Sequence, residues 1–518
     1  MSITACINGE MTHAGLPVTW GLAVWAFMVG VGVWAFLKSA PDKTAPRRID
    51  LTRVPGLGPL VRYVNSRPYV QFLARLIVVA IFVTVVVAGL YGTPIPERNA
   101  ATVLTWNLWW TGVIISVFFV GTAWCGVCPW DTLATWLVRR RPWGRAEPNN
   151  SLNLRVPGWL RTVYPALLLL IGLTWLELGV GVTLSPYATA VLALVMVMLA
   201  TVSLSVFERK AFCRYFCPVG RTIGAYAQLA PVELRPIDTD TCARCETLEC
   251  YHGSATVEPC PTNLVMGRLK QNTYCTSCGN CTQSCPRANV AWNLRPTGAE
   301  AAEQARPHLD ASWFILGLLA LTGFHGLTMI PEWEKGISAL GQWLGDSGQL
   351  LWAFSLGLAI NLIVPIAFFS SMVGLAAVGS AGIVSFKQAF IRLAPVTLPF
   401  AFAYHLAHNL KHLVREGGGL AELMLNPLGT GALPLSDLER HLHHFDSLTP
   451  DPVLSALQAG LMAWGFWIAV KIIRHRGHAL FGDNAAAARR GLMPMLVFAL
   501  AMTGYHVWLL TQNMVMRM

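Results

Sequence analysis

Charge is scarce in this chain: Asp, Glu, Lys and Arg together make up 13% of its 518 residues against 54% hydrophobic ones, and the mean hydropathy is +0.49. Soluble domains carry roughly 25% charge, so a soluble multidomain enzyme is excluded. The sequence also lacks a Walker phosphate loop and the glycine fingerprint of a dinucleotide fold, so nicotinamide or flavin chemistry would have to come from another protein. A stripe of basic residues interleaved with aromatics is missing too. The net charge of +11 therefore does not point to nucleic acid.

Long apolar runs are what the sequence has instead. Ten of them approach the ~20 residues a helix needs to cross a bilayer: 18–37, 73–92, 101–122, 161–183, 187–206, 311–330, 350–378, 393–413, 452–473 and 491–511. Ahead of the first, Met1 to Thr19 holds no Lys or Arg and so lacks the basic n-region of a cleaved signal; the run reads as a retained span. Basic residues resist translocation. Lys38, Lys43, Arg47, Arg48 and Arg53 follow span one, Arg139, Arg140, Arg141 and Arg145 span three, Lys387 and Arg392 span seven, and Arg474, Arg476, Arg489 and Arg490 span nine. All fall on one side in this register. It predicts a multi-pass protein of the bacterial inner membrane, embedded in lipid, with its N-terminus periplasmic.

One long polar stretch interrupts the spans between the fifth and sixth, and ten of the thirteen cysteines lie in it. The chain divides accordingly into an N-terminal transmembrane region (1–207), a cytoplasmic insert (208–310) and a C-terminal transmembrane region (311–518). Cys275, Cys278, Cys281 and Cys285, followed by Pro286, read C-x2-C-x2-C-x3-C-P, a spacing that lets three thiolates hold one cubane while the fourth reaches a second. A looser relative precedes it: Cys242, Cys245 and Cys250, then Cys260 with Pro261. In two-cluster ferredoxins each Cys-Pro cysteine serves the other motif's cluster. One 4Fe-4S cluster is thus expected on Cys242, Cys245, Cys250 and Cys285, and another on Cys275, Cys278, Cys281 and Cys260. Disulfides do not suit a reducing compartment, and the crossed pattern has no reason to appear in a zinc ribbon. The fold class that follows is an all-α polytopic membrane protein of about ten transmembrane helices with a cytoplasmic ferredoxin-like α+β insert for two 4Fe-4S clusters.

Two further cysteine pairs stand at the same expected depth, Cys125-Gly-Val-Cys128-Pro129 after span three and Cys213-Arg-Tyr-Phe-Cys217-Pro218 after span five. Four such thiols can bind a third iron–sulfur centre or a soft metal such as copper, or cycle as dithiols; inert small hydrophobes at helix ends are the plainer alternative. Arg209, Lys210, Arg214 and Arg221 would stabilise thiolates there, and they satisfy the positive-inside pattern as well.

With these two membrane motifs and the cysteine-rich insert, residues about 70 to 330 resemble the polyferredoxin-type membrane proteins NapH, NosR and CcoG. The resemblance implies electron transfer between the quinone pool, iron–sulfur clusters and a periplasmic acceptor, or a task in metal-centre assembly. Two departures are plain. The first membrane motif is C-x2-C-P where that family more often has C-x3-C-P, and four further spans follow the insert and span six.

Those added spans carry histidines. Thr-Gly-Phe-His325, Phe-Ala-Tyr-His405 and Thr-Gly-Tyr-His506 repeat a small residue, an aromatic and a histidine, and His408 and His412 share a helical face with His405. Intramembrane histidines are functional candidates. Three uses stay open: b haem held between two helices, with His405 and His506 as the first pair and His325 with His408 or His412 as a second; copper or another transition metal; or hydrogen bonds between helices. The glycines before the aromatics would let a macrocycle approach the backbone. His441, His443 and His444 near Asp446 form a short tract that suits a divalent metal or a solvated surface, and His475 and His478 read as charge anchoring. Glu177, the one carboxylate in span four, is placed either to accept a quinol proton or at the headgroup boundary.

These features predict membrane electron transfer between quinone or quinol, iron–sulfur clusters, b haem and a periplasmic or membrane redox partner, as a quinol dehydrogenase or membrane oxidoreductase subunit. The alternative is an accessory factor for metalloenzyme maturation that reduces or handles copper.

Overall fold

Proline at a helix's first turn removes no hydrogen bond the helix needs, and prolines open several helices of this protein. The computed structural model describes residues 6–7, 10–38, 48–380, 383–416, 419–436, 439, 450–482 and 485–515. Its main helices are α1 (Val18–Leu37), α2 (Pro68–Tyr91), α3 (Ala100–Val120), α4 (Pro129–Arg139), α5 (Tyr164–Val180), α6 (Pro186–Val206), α7 (Pro218–Tyr226), α8 (Leu309–Leu327), α9 (Leu351–Gly379), α10 (Leu398–Glu416), α11 (Asp451–Phe481) and α12 (Ala485–Thr511). Among the described residues nine are long and apolar enough to cross a membrane: α1, α2, α3, α6, α8, α9, α10 with the turns leading into it from Phe386, α11 and α12. This is a membrane protein.

Span four departs from its expected range of 161–183. Residues 161–163 form a bend, and Gly181, with φ +79°, ends the helix, leaving Tyr164–Val180 as the apolar element. Seventeen residues at ~1.5 Å each give about 26 Å, short of a ~30 Å hydrocarbon layer. Its ends nevertheless sit at two levels of the bundle. The Val163 N–H donates to Asp310 at the insert end of α8 (2.8 Å), and Trp175 Nε1 donates to Ser355 at the start of α9 (2.9 Å). The alternation of helix directions read from the sequence is therefore kept.

Among the described residues six short strands form two sheets. Strands β1 (Cys6–Ile7), β2 (Glu10–His13) and β6 (Met514–Val515) join the described ends of the chain. At the insert, β3 (Ile49–Asp50), from the segment that follows α1, and β4 (Val232–Pro236) flank β5 (Val290–Leu294), all antiparallel, with Val232 opposite Leu294 and Pro236 opposite Val290. Beneath this sheet lies a buried ion network. Arg295 Nη1 stands 2.9 Å from Glu233 and 2.5 Å from Glu300, Arg235 Nη2 is 3.1 Å from Glu233, and Arg48 Nε is 2.8 Å from Glu233.

The C-terminal half grips the insert from below. Arg476 of α11 is buried, and its guanidinium donates to the carbonyls of Ala301 (2.5 Å), Ala305 (2.8 Å) and Arg392 (3.0 Å). The helix-end arginine that the sequence assigns to topology thus also fixes how the insert leaves for α8.

Candidate iron–sulfur sites and the membrane cavity

A cysteine before a proline becomes the cap of the helix that the proline starts, with its thiol beside the unpaired N–H groups and positive end of the dipole. Cys128 caps α4 and Cys217 caps α7 in this way; Cys217 Sγ accepts from the Gly220 N–H at 3.2 Å. The two pairs, 85 or more residues apart in sequence, come together. Cys125, Cys128 and Cys213 each lie within electrostatic reach of Cys217. Burial, with Cys217 adding to it, pushes the Cys125 thiol up to about 12, and Arg221 opposes the rise; Cys217 is pushed up to about 11, with the Gly220 N–H and Arg221 opposing. Such thiols keep their protons at neutral pH until a metal displaces them.

Three charged side chains serve this set. Arg221 is buried within electrostatic reach of Cys125, Cys213 and Cys217 and donates to the Thr273 carbonyl at 3.1 Å. Asp131 Oδ1 stands 3.7 Å from Cys213 Sγ, and its Oδ2 pairs with Lys210 Nζ at 2.6 Å. Asp131 was not legible as a site residue, although an acid in the first turn after Cys-Pro was a signal. Arg209 and Arg214 serve elsewhere: Arg209 donates to the Tyr251 and Cys260 carbonyls (2.8 and 2.6 Å), and Arg214 reaches the Thr262 carbonyl.

In the insert, Cys275, Cys278, Cys281 and Cys260 form a second set within mutual reach, and Cys242, Cys245, Cys250 and Cys285 a third. Burial pushes Cys275 up to about 12, with the Ser277 N–H opposing. Cys245 is different: the Leu248 N–H holds it below the ordinary thiol value. The longer Cys245 to Cys250 step is taken up at Leu248, which turns into the left-handed region with φ +48°. The twelve cysteines of these three sets are free thiols. Among the described residues no three Cys, His, Asp or Glu side chains converge on one point as a single metal ion requires. A cubane instead gives each thiolate its own iron, and three groups of four thiols suit that arrangement.

The sets follow one another. Cys125 of the first is within reach of Cys275 of the second, and Cys281 of the second within reach of Cys250 of the third. Side chains from α2 and the α3 end bind the first two loops together. Gln71 Nε2 donates to the Cys278 carbonyl (2.9 Å) and the Gly126 carbonyl (3.4 Å), Arg75 Nε to the same Gly126 oxygen (2.9 Å), and the hydroxyls of Thr122 and Ser277 meet at 2.7 Å.

Behind Cys217 opens a cavity of about 120 Å³ in the helix bundle. Trp110, Trp130, Val219, Glu177, His325 and His405 are in its wall. Glu177 sits in the wide turn closing α5 and pairs with His325 Nε2 at 3.1 Å; its side chain is 14% exposed. His405 Nδ1 shares a hydrogen bond with the Tyr226 hydroxyl (3.2 Å), a partner with no sequence signal.

The expected haem pairs do not match this packing. His506 is fully buried with its ring stacked on Tyr404 at 4.5 Å, whereas His405 faces Tyr226 and Trp110; His405 and His506 do not confront one another across an open slot. His325 and His408 are closer, with ring centroids 6.4 Å apart, yet His325 Nε2 is turned to Glu177. The glycines expected to admit a macrocycle are filled by protein: Gly323 meets Tyr505 and His506, and Gly504 meets the Trp25 ring. The side chain of His412, and His441, His443, His444 and Asp446, lie outside the described residues.

Two stretches, residues 102–146 and 189–227, match the family described as a 4Fe-4S binding domain. The matched stretches are the ones holding Cys125, Cys128, Cys213 and Cys217, so the match falls on the membrane-edge set and not on the insert. Over 140 residues the chain is 30% identical to YccM of Escherichia coli (strain K12), whose name assigns it provisionally to electron transport; the alignment covers 26% of this chain and 36% of that protein. It is 23% identical over 224 residues to the uncharacterized protein MJ0749 of Methanocaldococcus jannaschii, covering 43% of this chain and 83% of the other. No solved structure matches the chain. These likenesses support an iron–sulfur electron-transport protein.

Proposed function

We propose that this chain oxidises quinol in the inner membrane and passes the electrons through iron–sulfur clusters to a redox partner. The observation that carries the reading is the cavity: its wall includes the Glu177–His325 pair and also Val219, two residues beyond Cys217. When bound, clusters on the three thiol sets supply one-electron transfer. Cys125, Cys128, Cys213 and Cys217 would hold the one next to the cavity; Cys275, Cys278, Cys281 and Cys260 the next; Cys242, Cys245, Cys250 and Cys285 the last.

The chain's own residues do the rest. Glu177 accepts the proton of a quinol hydroxyl, and His325 keeps the carboxylate aimed and shares its charge. Trp110 and Trp130 pack the apolar ring and exclude water, which strengthens the polar contacts. Arg221 and Lys210 offset the negative charge that four thiolates bring to a buried place. The third set lies among exposed residues Ala243, Arg244, Glu246 and Thr247, and there a redox protein meets the insert. The basic residues following α1, α4 and α11 support a cytoplasmic insert and a periplasmic N-terminus.

The test is anaerobic addition of duroquinol to oxidised, cluster-loaded protein in detergent. Bleaching of the iron–sulfur visible absorption in the wild type, and its slowing in Glu177→Gln at unchanged iron content, is the expected result. Wild-type protein that no quinol bleaches contradicts the reading.

A further inference from the structure

Oxidising a quinol to a quinone breaks two O–H bonds, so two protons need acceptors while two electrons leave singly to iron–sulfur acceptors. The Glu177–His325 pair accounts for one proton. A second group lines the same cavity from α10. His405 is in the wall, 9% exposed, with the Trp110 ring 5.6 Å from its own. Its Nδ1 is engaged by the Tyr226 hydroxyl (3.2 Å), which in turn meets Thr322 Oγ1 (3.4 Å). Tyr226 is fully buried against Phe402 and belongs to α7, whose nine residues are all buried, so its hydroxyl is held in place by packing.

A histidine orients its reactive nitrogen through the bond its other nitrogen makes. Thr322 Oγ1 gives its own proton to the Leu318 carbonyl (2.7 Å), so the Tyr226 hydroxyl donates to Thr322 and accepts from His405; with Nδ1–H donating to Tyr226, Nε2 is the basic nitrogen that faces a ligand. We propose that His405, braced by Tyr226, is a second proton acceptor of the cavity and that the ligand class is a para-diol held at both hydroxyls, one by Glu177 and the other by His405 Nε2. This rests on the quinol reading above. Each hydroxyl gives its proton to the group it faces, and the ring loses one electron at each step to an iron–sulfur acceptor. The titratable groups that face His405 are Tyr226 from α7 and His325 from α8, with Glu177 and His408 also in the cavity wall. The imidazole that the sequence offers as a haem ligand becomes a substrate-binding base.

Four tryptophans line the cavity, Trp106, Trp109, Trp110 and Trp130, so binding is readable by tryptophan fluorescence without turnover. The full chain in detergent is titrated anaerobically with duroquinol and with its mono-O-methyl ether. With duroquinol, Glu177→Gln and His405→Gln each weaken binding about tenfold, the loss of one hydrogen bond to a buried group. Tyr226→Phe, which removes one oxygen and keeps the packing, weakens it about threefold, the loss of a bracing bond alone. With the mono-ether, whose single hydroxyl can use either acceptor, the single substitutions change affinity little and the double substitution abolishes the preference. Full duroquinol affinity in both His405→Gln and Tyr226→Phe, alongside a loss in Glu177→Gln, overturns the second acceptor and leaves the quinol site standing. Absence of any quench in the wild type overturns both.

Discussion

Cys217 and Tyr226 stand at the two ends of one buried helix. Cys217 caps α7 and takes the Gly220 N–H at 3.2 Å, while nine residues on Tyr226 shares its hydroxyl with His405 at 3.2 Å. A thiol of the membrane-edge set and a hydrogen-bonding partner of the cavity are therefore fixed to the same rigid element. In the proposed function, the cluster site and the proton-accepting wall of the cavity are joined over one short helix.

If the membrane-edge thiols hold their own cubane, Cys217→Ser removes about four irons per chain and leaves the insert's share intact. Cys285→Ser should remove a comparable amount from the third set instead, although Cys285 is only four residues from Cys281. Iron analysis with electron paramagnetic resonance separates the two outcomes. Equal loss of all iron in both variants contradicts independent sites.

Gly224 of α7 faces the carbonyl of Thr273, just ahead of Cys275; a methyl group at Gly224 would lie 2.1 Å from that oxygen. Backbone cannot yield as a side-chain tip does. Gly224→Ala is expected to push the cluster loop off α7, at a cost of about 1–3 kcal/mol, seen as a lower unfolding temperature and lower iron retention. An unchanged unfolding temperature would count against this packing.

The positions of the helices were legible to a large degree, since nine of ten apolar runs fall on long apolar helices, although α11 runs eight residues past the expected 473 and α12 starts six before 491. Span four was not, because hydropathy does not register Gly181 ending the helix or the bend at 161–163. The insert's two thiol groups follow the crossed Cys-Pro pattern, since cysteine spacing is set by a rigid cofactor. The histidines illustrate the opposite case. Spacing along α10 places His405 and His408 on one face, yet the neighbours that decide their use, Tyr226 from α7 and Tyr404 stacked on His506, come from tertiary packing that periodicity does not encode.

Arg295 sits 1% exposed between Glu233 and Glu300. Arg295→Met leaves two buried carboxylates short of a partner, and breaking a buried pair from one side costs about 3–5 kcal/mol. The expected outcome is loss of the folded insert and of its iron, with the helical content of the membrane region retained by circular dichroism. Normal iron content in this variant would show that the network is not needed to hold the sheet.

Glu177→Gln keeps the size of the side chain while removing the carboxylate that takes the proton. Quinol-driven cluster reduction should fall by about 10²–10⁴-fold, the range for a general base, whereas reduction by dithionite stays at the wild-type rate. Equal slowing by both reductants would place the defect in the clusters.

The most direct test of the central proposal, that three cubanes carry the electrons while Glu177 and His405 serve the substrate rather than a haem, is the iron and acid-labile sulfide content of the anaerobically purified chain, read with its reduced-minus-oxidised visible spectrum. About twelve irons and twelve sulfides per chain, as three cubanes require, without a b-type α band is the predicted result. A b-type band, or about eight irons accompanied by bound copper, would contradict it.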